Sequence, residues 1–276
     1  MKQATVLSYQ RYRYLKLGLL LVALSCLAYL AHDPPIKPNG GTWLGYVLGT
    51  LGALLILVLL AYGIRKRSYR STRGKLQGWL SSHVYLGTAL IVIATLHTGF
   101  EFGLNVHTLA YVLMLAVIAS GFWGMYFYLR NPERMSHALH GETLEQHLLA
   151  IAEIDNESRS LAMNHLDHVN RALMEAGNAP LFESFWQQFT GRNPQCKTTA
   201  VTNLLASAEG HITESQARTN AELYELQLQK LARLNRLRSY TRHKAWLDVW
   251  LMLHVPLSVA LLAALTAHIV SVFFFW

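Results

Sequence analysis

The chain has 276 residues, 52% of them hydrophobic and only 14% charged, with a formal net charge of +8. Its apolar residues gather in runs too long for the core of a soluble domain, which excludes that class and makes the chain an integral membrane protein. The positive excess lies in short stretches flanking those runs, so it reads as a topology signal and argues against a nucleic-acid partner.

Five spans are predicted, at residues 15–31, 43–64, 79–100, 106–129 and 247–276, each near the ~20 residues that a helix needs to cross hydrocarbon. Lys2, Arg11 and Arg13 precede the first span, and Lys16 stands at its start. A basic lead before an apolar run suits a signal peptide, but Ala28-Tyr29-Leu30-Ala31 lacks the small residue wanted at position minus three, so the span is read as retained. His32-Asp33-Pro34-Pro35 then breaks the helix, and Gly40-Gly41 with Trp43 returns the chain to the membrane. The second span carries Gly45, Gly49, Gly52 and Ala53 at about helical spacing, a stripe read as close helix packing.

Arg65, Lys66, Arg67, Arg70, Arg73 and Lys75 separate the second and third spans, whereas the alternate connections hold only Asp33 and Lys37 in one and Glu101 in the other. By the positive-inside rule the amino terminus is expected in the cytoplasm and the carboxyl terminus outside, most naturally in a bacterial inner membrane.

The third span contains His83 and His97, and the fifth contains His254 and His268, each pair with thirteen residues between. Fourteen positions are about four helical turns, so each pair shares one face at a separation of about 21 Å. One histidine then approaches each surface of a ~30 Å hydrocarbon core. Ionisable groups there are costly and usually functional, and neutral imidazole ligates iron well. The two spans run in the same direction, so His83 is expected to face His254, and His97 to face His268. The expected cofactors are two bis-histidine b-type haems, held by these four metal ligands with both axial positions filled. A porphyrin beside its ligand helix needs room about one turn from the histidine, and Gly87, Ala94, Ser258 and Ala264 supply it, with Leu265 the exception on the fifth span. Arg73, Lys75, Arg242 and Lys244, with His243, are expected to neutralise the inner haem's propionates. The outer haem would rely on Trp43, Thr98, Asn105 or a partner. His107 is held as a reserve ligand.

Along the fourth span, Ser120, Gly121 and Gly124 lie among Phe122, Trp123, Tyr126, Phe127 and Tyr128. This cluster reads first as an interfacial aromatic belt and second as the wall of a quinone site. Asn131-Pro132 then allows the helix to end or bend.

Residues 130–245 hold thirteen Lys/Arg and thirteen Asp/Glu, so the segment is neutral overall. Thr143 with Gln146 and Thr213 with Gln216 match the capping box. Leu144, Leu148, Ile151, Ile154, Leu166, Val169 and Leu173 form one apolar stripe. Leu223, Leu226, Leu231, Leu234 and Leu237 form a second, on a helix able to run through Trp246 into the fifth span. The segment is expected to be a cytoplasmic helical hairpin with residues 177–196 at its tip. His137, His140, His147, His165, His168, His211 and His243 show no zinc-like arrangement and are read mostly as solvated. Cys26 and Cys196 are not expected to pair, and no cysteine cluster or C-x-x-C-H suggests an iron–sulfur centre or covalent haem. The expected fold is therefore an all-α integral membrane helical bundle. Its parts are four transmembrane helices in 1–130, the helical insertion in 131–245 and the fifth transmembrane helix in 246–276.

His83, His97, His254 and His268 make the chain resemble membrane dihaem cytochromes b. The H-x13-H pair is similar to that of the cytochrome b subunit of quinol:cytochrome c oxidoreductases, and its position on the third and fifth crossings is like that of ferric-reductase and NADPH-oxidase haem domains. The resemblance covers the two histidine helices, under a fifth of the chain. It departs in having five spans, a long insertion and no flavin/nicotinamide domain after the last span. It implies an electron-transfer subunit of an oxidoreductase complex, with no catalytic residue of its own, working between a quinone pool or cytoplasmic-side donor and an extracytoplasmic cytochrome c or iron–sulfur protein. The alternatives are a ferric-reductase-like exporter using a separate flavoprotein, and a haem-free, histidine-lined metal transporter or scaffold. Oligomerisation is compatible with all three.

Overall fold

A computed structural model describes residues 6–34, 37–67, 74–163, 166–207 and 213–274. All regular elements among the described residues are helical: a 3-10 turn at Val6–Ser8, then α1 (Arg13–Leu30), α2 (Trp43–Arg67), α3 (Leu76–Thr98), α4 (Val106–Ala138), α5 (Leu144–Ala162), α6 (Asp167–Gly177), α7 (Gln187–Thr190), α8 (Lys197–Ser207) and α9 (Glu214–Phe274). Five helices are long and apolar enough to span a membrane: α1, α2, α3, the Val106–Arg130 part of α4, and α9. The fourth-span helix does not stop at Asn131-Pro132, which the sequence marks as an end or bend, but runs on to Ala138. Helix α9 carries Pro256 within its 61 residues. A proline there forgoes one backbone hydrogen bond, and the many turns on either side hold the helix together.

The chain divides into two units. One comprises the residues up to Trp123 together with those from Met252, and the other spans Gly124–Leu251. In the first, which we call the membrane unit, α3 is the central element. Leu86, Leu90 and Ile93 of α3 pack with Leu44, Leu48, Leu55 and Ile56 of α2, Met114 of α4 and Leu261 of α9 into one apolar core. Helix α1 also lies along α3, and the small Gly18 lets the backbones approach, since a Cβ there would come within 3.3 Å of the Tyr85 carbonyl. Outward-facing Leu19, Leu20, Leu24, Val47, Leu54 and Leu57 are exposed, as lipid-facing positions must be. Gly99 ends α3 in the left-handed conformation at φ 59°, its N–H returning to the Leu96 carbonyl.

In the second, inserted unit, Thr143 caps α5 in a complete capping box with Gln146, and Thr213 with Gln216 starts α9 in the same way. Ala162, Val169, Leu173, Ala176, Val201, Leu205 and Leu223 form its apolar core, drawn from α5, α6, α8 and α9. Leu144 and Leu148, expected in the stripe, are exposed instead, because α5 turns Ile154 and Ser158 inward. Helix α5 runs alongside α9 in the opposite sense, as three contacts show: Ser158 with Gln227, Asp155 with Lys230, and Glu142 with Arg233. The connection between them is not a simple tip. It contains α6, α7 and α8, and the stretch expected farthest from the membrane folds back onto residues 238–246 of α9. Arg238 Nε donates to the Leu181 carbonyl at 3.3 Å, Gly191 packs against the alkyl chain of Arg242, and Phe189 meets Trp246 at 5.5 Å between ring centroids. The interior of this unit is polar as well as apolar, with Lys230 only 2% exposed. Its ammonium bonds Asp155 at 2.6 Å and the Ala176 carbonyl at 3.0 Å.

Candidate functional site

Helices α3 and α9 bring the four predicted histidines together in two pairs. The rings of His83 and His254 are 6.4 Å apart between centroids, and those of His97 and His268 are 6.0 Å apart. His83 Nδ1 donates to the Leu59 carbonyl at 3.1 Å, and His97 Nδ1 donates to the Gly45 carbonyl at 2.8 Å. A carbonyl only accepts, so the proton of each neutral ring is on Nδ1 and the lone pair is on Nε2. His254 Nδ1 lies 2.8 Å from Ser120 Oγ, whose own hydrogen goes to the Val117 carbonyl at 2.7 Å. The serine oxygen is therefore an acceptor, and His254 takes the same tautomer. His268 Nδ1 bonds His107 Nδ1. Each imidazole is thus held through Nδ1 by a neighbouring helix, the arrangement by which proteins orient a ring that ligates a metal through its other nitrogen.

The surroundings of the two pairs differ. Around the first pair are the Tyr62 ring, 5.0 Å from that of His83, and Gly121, where a Cβ would meet His254 at 3.6 Å. Gly87 faces Leu59, while Ser258 returns its hydroxyl to the His254 carbonyl at 2.7 Å, so it leaves space beside the ring without adding a free hydroxyl. The second pair opens on a cavity of about 640 Å³. Ala94 lines it as expected; Leu261, Leu265, which the sequence marks as the exception on the fifth span, and Gly49, Gly52 and Ala53 of α2 line it too. The small-residue stripe read as helix packing therefore also makes this hollow. Gly49 has a direct reason to be glycine, since a Cβ would stand 2.7 Å from His97 Cε1. Ala264, the remaining predicted lining residue, is buried.

At the polar end of the cavity are Asn39, Thr98, Glu101, Asn105, His107 and Thr108, and the lining among the described residues holds no Lys or Arg. Thr98 and Asn105 are where the sequence places polar partners for an outer propionate. Trp43 is turned aside, its ring edge-on to His32 at 5.1 Å. Of the cations expected near the inner haem, Arg73 lies outside the described residues. Lys75 is exposed at the start of α3, Arg242 packs on Gly191 within the inserted unit, and Lys244 is exposed.

Two imidazoles bound on opposite sides of one metal have centroids roughly 6–6.5 Å apart, counting two bonds of about 2 Å and the distance from each nitrogen to its ring centre. Both pairs meet that spacing, and the cavity beside the second falls in the ~300–1,000 Å³ range of cofactor pockets. The residues present therefore fit bis-histidine haem. Among the described residues no cluster of three or more His, Cys, Asp or Glu side chains is arranged to hold a metal ion directly.

No family model, curated protein or solved structure matches the chain.

What the sequence missed is the role of His107. Its ring is 4.5 Å from that of His268, and the two meet through Nδ1. A lone histidine at the start of a span gives no sequence signal of that contact. In the inserted unit, the expectation of solvated histidines holds for the exposed His137, His140 and His168 but not for His147 or His243, which are buried; His165 and His211 lie outside the described residues. His147 is fully buried, with Nε2 donating to the Leu139 carbonyl at 3.2 Å and Nδ1 accepting from Arg233 at 3.3 Å. Cys196 is buried beside Arg238, which donates to Sγ at 3.1 Å. Burial alone would push this thiol up, but hydrogen bonds from Arg238 and Thr199 and the guanidinium charge bring it below its ordinary value.

Proposed function

We propose that this chain is a dihaem b-type cytochrome of an electron-transfer complex. The observation that carries the reading is the pair of imidazole couples, each ring oriented through Nδ1, at the spacing of two ligands on one metal. His83 and His254 would hold one haem, and His97 and His268 the other. The bound haems supply reversible one-electron chemistry.

The chain's own residues do the rest. His83 with His254, and His97 with His268, would each give two nitrogens to one iron, which would leave no place for oxygen or substrate at the metal and restrict the sites to electron transfer. Leu59, Gly45, Ser120 and His107 fix the rings against rotation. Leu59, Gly45 and Ser120 also accept the Nδ1 proton, which raises ligand basicity. The apolar core around Leu90, Ile93 and Leu261 excludes water between the two levels. Two centres about four helical turns apart divide the membrane crossing into steps shorter than its thickness.

The distribution of Lys and Arg supports an amino terminus in the cytoplasm and a carboxyl terminus outside, in a bacterial inner membrane. The external connections are short, so the outer haem would exchange electrons with a separate cytochrome c or iron–sulfur protein. The donor is a quinol or a cytoplasmic-side reductant.

Purified protein should give a pyridine-haemochrome spectrum of two b-type haems per chain and a dithionite-reduced spectrum without covalent c-type haem. Protein folded in lipid that takes up no haem when expressed with excess haem would end this reading and leave the histidines to a haem-free role.

A further inference from the structure

The inserted unit carries an aromatic cluster that no electron-transfer role uses. Phe185 is 62% and Trp186 74% exposed, although both lie in an otherwise polar stretch. Their rings pack on each other at 5.8 Å and on Phe189 at 5.3 and 6.0 Å. Phe189 meets Trp246 at 5.5 Å, and Trp246 stacks on Phe127 at 5.8 Å with an interplanar angle of 4°. This ladder is informative because of where it ends. Phe127 belongs to the membrane-spanning Val106–Arg130 segment, three residues from its polar limit. Three residues are about 4.5 Å of helix. Trp246 occupies the equivalent boundary of α9, where Arg242, His243 and Lys244 give way to an apolar run.

We propose that the Phe185–Trp186–Phe189 segment is a membrane-interface anchor, seated at the boundary between lipid headgroups and acyl chains. Trp and Phe favour that boundary, where an apolar ring body and a wet edge are both accommodated. The occupant is lipid because the cluster is continuous with the aromatic ends of two spans that must already lie there. The basic residues around it fit anionic headgroups: Arg192 is exposed beside Gly191, Arg242 lays its alkyl chain on that glycine, and Arg130 donates to Tyr126 Oη at 2.9 Å. This inference needs a membrane but no haem, so it stands apart from the proposed function.

The test is photo-crosslinking in the full-length protein, reconstituted in bilayers of phosphatidylethanolamine and phosphatidylglycerol. Trp186→p-benzoylphenylalanine is compared with the same replacement at Leu57, which faces outward on α2, and at Met163, an exposed residue of the inserted unit. Phospholipid adducts are expected on the peptides bearing positions 186 and 57 and not on that bearing 163. Replacing phosphatidylglycerol by phosphatidylcholine should lower the yield at 186 by at least twofold. The proposal is overturned by lipid adducts at 57 with none at 186, or by adducts at 186 to polypeptide alone, which would make the cluster a protein-docking surface. An unchanged yield in phosphatidylcholine would overturn the part given to the arginines.

Discussion

His97, half-buried, and His147, fully buried, are both imidazoles on helices, and they are bonded in opposite ways. In the inserted unit His147 uses both nitrogens within the protein, Nε2 toward the Leu139 carbonyl and Nδ1 toward Arg233. In the membrane unit His97 gives its Nδ1 proton to Gly45 and directs the lone pair of Nε2 elsewhere, as does His83 with Leu59. The same contrast runs through the two units. Lys230 closes on Asp155 and the Ala176 carbonyl, and Arg233 on Glu142, so the costly groups of the inserted unit satisfy one another. The membrane unit arranges its ionisable groups across a gap the width of a metal, beside a cavity of about 640 Å³. A buried polar group whose partners are all internal is structural. One whose ring is held through Nδ1 alone, beside a second such ring, is what the proposed ligand role requires.

The contrast is broken or sharpened by substitutions on each side. The largest effect is expected from His97→Leu, which removes one of the proposed haem ligands: haem per chain should fall from two to one, with the inner b-type spectrum retained. If two haems remain, His97 is not a ligand. Gly49→Val should produce a partial version of this loss. Its side chain collides with the His97 ring, so the outer haem should be depleted or shifted in potential while the inner one is unchanged, read by redox titration of the reconstituted protein.

In the inserted unit the effect should fall on stability and leave haem content alone. Lys230→Met strands the Asp155 carboxylate in the interior and is expected to destabilise that unit by about 3–5 kcal/mol, with the double variant that also carries Asp155→Leu recovering much of the loss. Denaturant unfolding with haem absorbance followed in parallel would separate the two responses.

The smallest effect is expected at Glu142. The hydrogen bond from Arg233, with the nearby positive charges of Arg233 and Arg236, holds this carboxyl below its usual value of 4.5. A depressed carboxylate contributes stability above its unfolded value, and that contribution is lost as pH falls through the lower folded value. Glu142→Gln should therefore lower stability slightly at neutral pH, and the difference from the unsubstituted protein should vanish as pH falls, which flattens the acid limb. An acid limb identical to that of the unsubstituted protein would show that the Arg233 contact is not felt in solution.

The five spans, the histidine registers and both capping boxes were legible because each depends on local or periodic information. Apolar length selects a membrane helix, a fourteen-residue spacing fixes one face, and Thr with Gln three residues later closes a helix end. Leu144 and Leu148 misled for the converse reason: a leucine stripe shows that a helix has an apolar face but not which turns of it another helix covers. That residues 177–196 fold back onto residues 238–246 was equally illegible, since those contacts join residues some fifty positions apart.

By itself, then, the sequence determined a membrane-embedded helical protein with four imidazoles on two registers. Only the tertiary structure decided that the imidazoles pair at metal-spanning distance, that α2's small residues hollow a cavity beside one pair, that His107 leans on His268, and that the insertion folds its aromatic stretch back toward the ends of two spans. The physical reason is range. Helical periodicity and hydrocarbon thickness act on each segment alone, whereas side-chain pairing and cavity shape depend on which segments pack together, and that choice belongs to the whole chain.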